Sequence, residues 1–295
     1  MTHRQITVSE LSDSVRIIDY LKVHARFIYP SGSSLKKAFK RESVLLNGAI
    51  AQAGDLLSQG DLIAFIQEPE ACVKVFPLDL TVLFEDAFMA VVVKPAGYSV
   101  SGNYYKTIQN ALPYNLKLSD EDDALVLPRP VHRLDKLTSG ILLIAKTRRA
   151  QQHLGTQFEN QTITKKYTAL VKGKMLGKGS VESAIDHQQA CTLYESIRVE
   201  KSLSYEWLTC MDLMPKTGRT HQLRIHMSES GHPIVGDDLY DTQNVLKGKG
   251  LFLCARYVAF KHPVSSELMS FEIPLPGKFE ALLARELRRW KKFNT

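Results

Sequence analysis

Little in this chain of 295 residues invites cross-linking or membrane insertion. Its four cysteines, Cys72, Cys191, Cys210 and Cys254, lie far apart and never as C-x-x-C, which argues against a disulfide framework or a zinc knuckle and predicts reduced, mostly buried thiols. The longest apolar run, Ala87 to Val93, falls far short of the ~18 to 20 residues that span a bilayer, so no membrane association is expected. No secretory signal is expected either, because MTHRQITVSE has neither an apolar stretch nor a small-residue cleavage site, and a cytoplasmic location follows. Nucleotide-cofactor and serine-hydrolase motifs are also missing. Gly173 to Ser180 is one residue short of a phosphate loop and has Gly179 where Ser or Thr should follow the lysine, and there is neither a G-x-G-x-x-G after a strand nor a G-x-S-x-G. The expectation is chemistry without a metal or an organic cofactor.

What is present is ordinary in hydrophobic content, 44%, but basic overall, with a formal charge of +7 and a pI near 9.1, which points to an anionic partner. The excess is concentrated in Arg16 to Arg41, where Arg16, Lys22, Arg26, Lys36, Lys37, Lys40 and Arg41 oppose only Asp19. Ile17, Ile18 and Leu21 share one helical face. Pro30 to Ser34 reads as a turn with a Ser N-cap, and Leu35, Ala38 and Phe39 restart the period. Two short basic helices are therefore predicted, followed by a hairpin at Asn47-Gly48, a Gly60-Asp61 turn and a last strand at 62–66. Pro69 and Pro77 mark a linker at 69–80, separating a small module over 1–68 from a second domain over 81–295.

In the second domain strands are predicted at 81–84, 89–93, 140–145, 166–171, 205–213, 252–260 and 268–273, with a helix capped by Thr147 and ending near Asn160. Strands outnumber helices and do not alternate with them, which implies an α+β fold with a mainly antiparallel sheet. The acidic run Asp120 to Asp123 reads as a solvated loop, and Leu283, Leu287 and Trp290 as the packed stripe of a basic terminal helix.

Two polar clusters could carry chemistry. In the first, R129-P-V-H-R-L-D-K-L-T-S-G140, Asp135 sits on a constrained loop between Arg133 and Lys136. Positive neighbours would keep it ionised and able to act as a nucleophile, while the plainer alternative is a turn residue paired with Arg133. The second is K216-T-G-R-T-H-Q-L-R-I-H226, with Gly231-His232-Pro233 as the stop of a helix of about ten residues capped by Thr220. His221 and His226 are roughly 140° apart around such a helix and have no cysteine or H-E-x-x-H partner, which argues against a metal. Arg219 and Arg224 read as clamps for phosphate or carboxylate, or as one face of a solvated cationic helix.

Taken in order, HRLDKLTSGILLIAK, KTGRTHQLRIHM and GHPIVGDDLY resemble the RluA family of RNA pseudouridine synthases over nearly the whole chain. Leu83-Phe84-Glu85-Asp86 with Val93-Lys94-Pro95-Ala96-Gly97, Lys165-Lys166-Tyr167 and Phe260-Lys261-His262-Pro263 extend the likeness. The basic N-terminal segment is similar to the small α/β RNA-binding module named after a ribosomal protein of the small subunit. The resemblance implies isomerisation of uridine to pseudouridine in structured RNA, with large-subunit ribosomal RNA expected as target ahead of transfer RNA, by a monomer. It makes Asp135 the catalytic aspartate, Arg224 the arginine that pairs with it and Tyr167 the aromatic against the target base. Arg133, Lys94, Arg219, His221, Lys36, Lys37 and Lys40 are the expected RNA contacts. Extruding a base from structured RNA requires such stacking and cationic groups. Cys254 and Val100-Ser101-Gly102 depart from the family's usual histidine and Val-His-Pro.

Overall fold

A computed structural model of the chain describes residues 4–9, 11, 14–25, 28–29, 32–66, 75–241, 246 and 248–294. Cys72, Arg26, Pro30, Pro69 and the first half of the expected linker lie outside these residues. The chain divides into two compact units, Met1–Val73 and Lys74–Thr295.

The first unit is built from β1 (Arg4–Thr7), β2 (Val15–Arg16), α1 (Ile17–His24), α2 (Gly32–Lys40), β3 (Val44–Leu46), β4 (Ala49–Ile50), β5 (Leu56–Leu57) and β6 (Leu62–Phe65). Four strands pair in the order β1-β6-β3-β4, and β2 pairs with β5. Asn47 (φ 51°) and Gly48 (φ 88°) make the tight turn between β3 and β4, since a two-residue hairpin of matching twist needs positive φ at both positions. Asn47 further locks the module by accepting from Leu62 N and donating to Asp61. Ile17, Leu21, Leu35, Ala38 and Ile63 meet in its core, leaving Lys36, Lys37 and Lys40 exposed on α2. This helix starts at Gly32, so Ser33 and Ser34 lie inside it, and the position of the expected serine cap, Ser31, is outside the described residues.

The second unit holds β7 (Thr81–Glu85), β8 (Met89–Lys94), α3 (Ile108–Asn115), β9 (Ala124–Pro130), β10 (Ser139–Thr147), α4 (Arg148–Glu159), β11 (Thr164–Lys172), β12 (Lys178–Ile185), β13 (Gln188–Ser202), β14 (Glu206–Pro215), α5 (Gln222–Glu229), β15 (Leu253–Lys261), β16 (Leu268–Glu272) and α6 (Gly277–Phe293). One sheet runs β12-β13-β14-β11-β15-β10-β8-β7, with β16 on β15 and β9 on β10. Among the described strands of this sheet only the pairing of β10 with β15 is parallel, and it spans two residue pairs. The α+β architecture is thus the expected one.

Thr147 caps α4 by accepting from Ala150 N, and Asn160 follows the helix, as predicted. The acidic run is not simply solvated: Asp123 accepts from Arg149 N, and Arg149 pairs with Glu121 and Asp123, so these acids hold the start of α4. In α6 the buried stripe is Phe279, Leu282, Leu283 and Glu286, not Leu287 or Trp290. The Glu286 carboxylate accepts from Ser202 Oγ (2.8 Å) and Ser204 N (3.2 Å), which compensates its burial.

Candidate active site

Asp135 stands on the loop between β9 and β10. Thr138 N closes a turn onto Asp135 O (3.1 Å), and Gly97 N donates to Lys136 O (2.7 Å). From beneath, Lys94 Nζ donates to Pro95 O (3.0 Å) and Lys136 O (3.2 Å). Lys94 is 0% exposed, which corrects the expectation that it contacts RNA: its ammonium is spent on two loop carbonyls inside the protein. Burial pushes its pKa down to about 8, against the opposing pull of the Asp135 charge. Beyond the loop, Gly140 (φ 127°) approaches β15 so closely that a Cβ would lie 2.2 Å from Ala255 O. Glycine is what allows β10 and β15 to meet there.

Tyr167 comes from β11 at the middle of the sheet. The pairing of β11 with β15 shifts register between Lys166 and Tyr167, an irregularity of the kind that re-aims side chains beside a site. Burial, and then the Asp135 charge, push the Tyr167 phenol above its ordinary range, so it stays protonated. Cys254, on the neighbouring β15, is buried in the core.

Arg224 projects from α5, 4% exposed. The expected ion pair with Asp135 is not formed; Asp237 takes the guanidinium instead, accepting from Nε and Nη2 at 2.7 Å each. A turn at Gly236, whose Cβ would fall 2.1 Å from Gly250 O, presents that carboxylate. Burial opposes the charge of Arg224, but Asp237 and the nearby Asp135 outweigh it. The Arg224 guanidinium also lies 5.0 Å from the Tyr240 ring.

The start of α5 differs from expectation as well. Its N-cap is His221 and not Thr220, in the left-handed conformation (φ 54°) and without a capping hydrogen bond from its side chain. The His221 ring is therefore free for other partners: Nδ1 lies 2.9 Å from Tyr240 Oη and Nε2 3.8 Å from Asp135 Oδ1. Gly231 (φ 77°) follows the helix, as its stop signal predicts.

These side chains border two openings. A cleft of about 430 Å³ is lined by Leu134, Asp135, Tyr167, Arg219, His221 and Arg224, among others, and a second cavity of about 460 Å³ by Lys136, Leu137, Asp238 and Leu239. Asp135, His221 and Arg224 line both. Arg133 and Arg219 are exposed on the first cleft, and Arg219 Nε donates to Gln189 O (3.3 Å). Lys36, Lys37 and Lys40 belong to the other unit. Sequence reading missed Asp237 and Tyr240, although GHPIVGDDLY marks their segment, and the far arm of the cleft. There the His132 ring packs tilted against Phe158 (4.6 Å) and accepts from Leu143 N, and burial, with Lys165 nearby, pushes its pKa down to about 3.

Among the described residues no group of side chains could hold a metal ion, and no helix is long and apolar enough to cross a membrane. A single carboxylate among cations, facing an aromatic in an open cleft, has the parts of an enzyme that works on a base drawn out of RNA. Residues 89–229 match the family model described as RNA pseudouridylate synthase. The chain is 31% identical to the Bacillus subtilis RNA pseudouridine synthase YlyB over 96% of this chain and 98% of that one. It is 32% identical to the ribosomal large subunit pseudouridine synthase D of Neisseria meningitidis, covering 86% of this chain and 74% of that one. Human RNA pseudouridylate synthase domain containing 1 has the same fold, with a TM-score of 0.56 at 24% identity over 70% of this chain and 86% of that one. The chain belongs to the RNA pseudouridylate synthase family and is an isomerase of RNA uridine.

Proposed function

We propose that the chain converts uridine to pseudouridine in large-subunit ribosomal RNA with Asp135 as nucleophile, Arg224 as its cationic neighbour and Tyr167 as the surface for the target base. The placement of Asp135 carries this reading: its carboxylate lies between two cavities, on a loop pinned from both sides, within the field of Lys94 and Arg224. The reaction opens the glycosidic bond, turns the uracil and joins its C5 to C1′, with no redox step. Hydrolysis by glycosidase logic would need a second carboxylate across the sugar. Asp238 is the other carboxylate on these openings, and it lines only the second, away from Tyr167. Relatives named for the large ribosomal subunit support the choice of RNA. The first unit, with Lys36, Lys37 and Lys40 exposed on one helix, is read as the accessory RNA-binding module.

The test uses transcripts of large-subunit ribosomal RNA and of transfer RNA carrying tritium at uridine C5, with wild type and Asp135→Asn. Release of label to water from ribosomal RNA by wild type alone is expected, with folding and RNA affinity of the variant unchanged. Release by Asp135→Asn would remove it as nucleophile. Release from transfer RNA alone would replace the target, and tight binding by wild type without release would replace the enzyme with a binding factor.

A further inference from the structure

Once C5 of the turned uracil is bonded to C1′, C5 still carries its hydrogen. A base must take that proton before the product is aromatic, and because C5 then sits on the carbon that Asp135 has just left, the base must stand beside Asp135. Tyr167 is poorly suited, since burial and the Asp135 charge hold its phenol protonated. Lys94 is sealed in the core on two carbonyls, and Arg224 is neutralised by Asp237. His132 already accepts from Leu143 N. Lys165 stands 6.0 Å from the Phe158 ring in the far arm of the cleft, and burial alone, with no contribution from Asp135, acts on its ammonium.

His221 remains, and several independent features single it out. Its backbone holds a left-handed conformation that non-glycine residues seldom adopt, a form of strain found at working sites. Its side chain is not spent on capping α5. Nδ1 is engaged by Tyr240 Oη at 2.9 Å, and the two rings pack edge to face at 5.6 Å, which directs Nε2 toward Asp135. At 3.8 Å neither Nε2 nor Oδ1 satisfies the other. The residue lines both cavities.

Resting on the reading of Asp135 as nucleophile, we propose that His221 Nε2 takes the C5 proton, with Tyr240 holding the ring. An Asp135 oxygen bonds to C1′ as the C1′–N1 bond breaks, and the electron pair leaves on N1. C5 of the turned ring then bonds to C1′, and the C1′–O bond breaks to return its pair to Asp135. His221 Nε2 accepts the proton from C5. The C–H pair becomes the C5–C6 double bond, and the C6–N1 π pair returns to N1, which is protonated by solvent. The imidazolium thus forms just as Asp135 regains its negative charge, 3.8 Å away. Nδ1–H donates to the Tyr240 hydroxyl before and after the step, which leaves Nε2 as the nitrogen that takes the proton; the hydroxyl can accept as readily as donate.

The experiment compares single-turnover pseudouridine formation on large-subunit ribosomal RNA transcripts made with protium or deuterium at uridine C5. Wild type, His221→Gln, Tyr240→Phe and Asp135→Asn are measured in parallel. His221→Gln is expected to slow the reaction about 100-fold, the usual scale for loss of a proton-transfer group. It should also show a primary deuterium effect clearly larger than wild type, because proton removal becomes limiting, while Tyr240→Phe shifts both in the same direction by less. A merely structural role would slow the reaction and leave the isotope effect unchanged. That result, or an unimpaired His221→Gln, would overturn the proposal. Turnover by Asp135→Asn would instead sink the nucleophile, and an inactive wild type would sink the underlying activity and this inference with it.

Discussion

At the residue scale the site is a balance of buried charge. Arg224 and Asp237 are both removed from water and satisfy each other through two hydrogen bonds, so taking away one partner leaves the other uncompensated. Asp237→Ala should cost about 3–5 kcal/mol of stability, the range for a broken buried pair, read as a shift of the denaturation midpoint. A change below about 1 kcal/mol would mean that Arg224 finds an equal partner elsewhere, Asp135 being the nearest alternative. Lys94 makes the opposite prediction in pH. Its folded pKa is lowered from 10.5 to about 8, so between those values the unfolded chain binds the extra proton and stability rises with pH. The destabilisation is fully present below pH 8 and is relieved toward pH 10.5, on the order of 3 kcal/mol. Wild type should therefore gain stability relative to Lys94→Met as pH is raised through that window, and parallel curves would show that the ammonium is solvated.

At the element scale, how much the residues reveal depends on how local the cause is. Thr147 could be recognised as a cap because its partner, Ala150 N, is three residues away, and the Asn47-Gly48 turn because its dihedrals are its own. Thr220 was misleading for the same reason. Its neighbour His221 takes the cap through a left-handed backbone, and that choice follows from packing against Tyr240 and not from local propensity. β12 and β13 escaped notice because polar residues alternate along β12 with partly covered ones and β13 is largely half-exposed, so neither shows an apolar run. Gly140 shows the reverse dependence, where the sheet dictates the residue. Gly140→Ala should destabilise the fold by about 2–4 kcal/mol, since a backbone contact of 2.2 Å must be relieved at a positive φ. Activity should fall further than stability, because the Asp135 loop leads directly into this pairing. Near wild-type melting of the variant would mean that β10 and β15 can separate without cost.

At the scale of the whole molecule, the charge of +7 implies binding that weakens steeply with salt. If the α2 lysines contact phosphate, replacing Lys36, Lys37 and Lys40 together by alanine should lower the salt slope of RNA affinity by about one per lysine, leaving single-turnover chemistry on bound RNA intact. An unchanged slope would place the phosphate contacts elsewhere.

The sequence by itself determined the α+β class, the order of most strands, the two basic helices and the segments that supply Asp135, Tyr167 and Arg224, because periodicity, turn chemistry and contiguous motifs are properties of neighbouring residues. Only the tertiary structure decided that Lys94 is a buried brace and that Arg224 answers first to Asp237. It also decided that His221 faces Asp135 with Tyr240 behind it. Each of these depends on which elements the sheet brings together, and the partners come from loops and helices whose meeting no local pattern encodes.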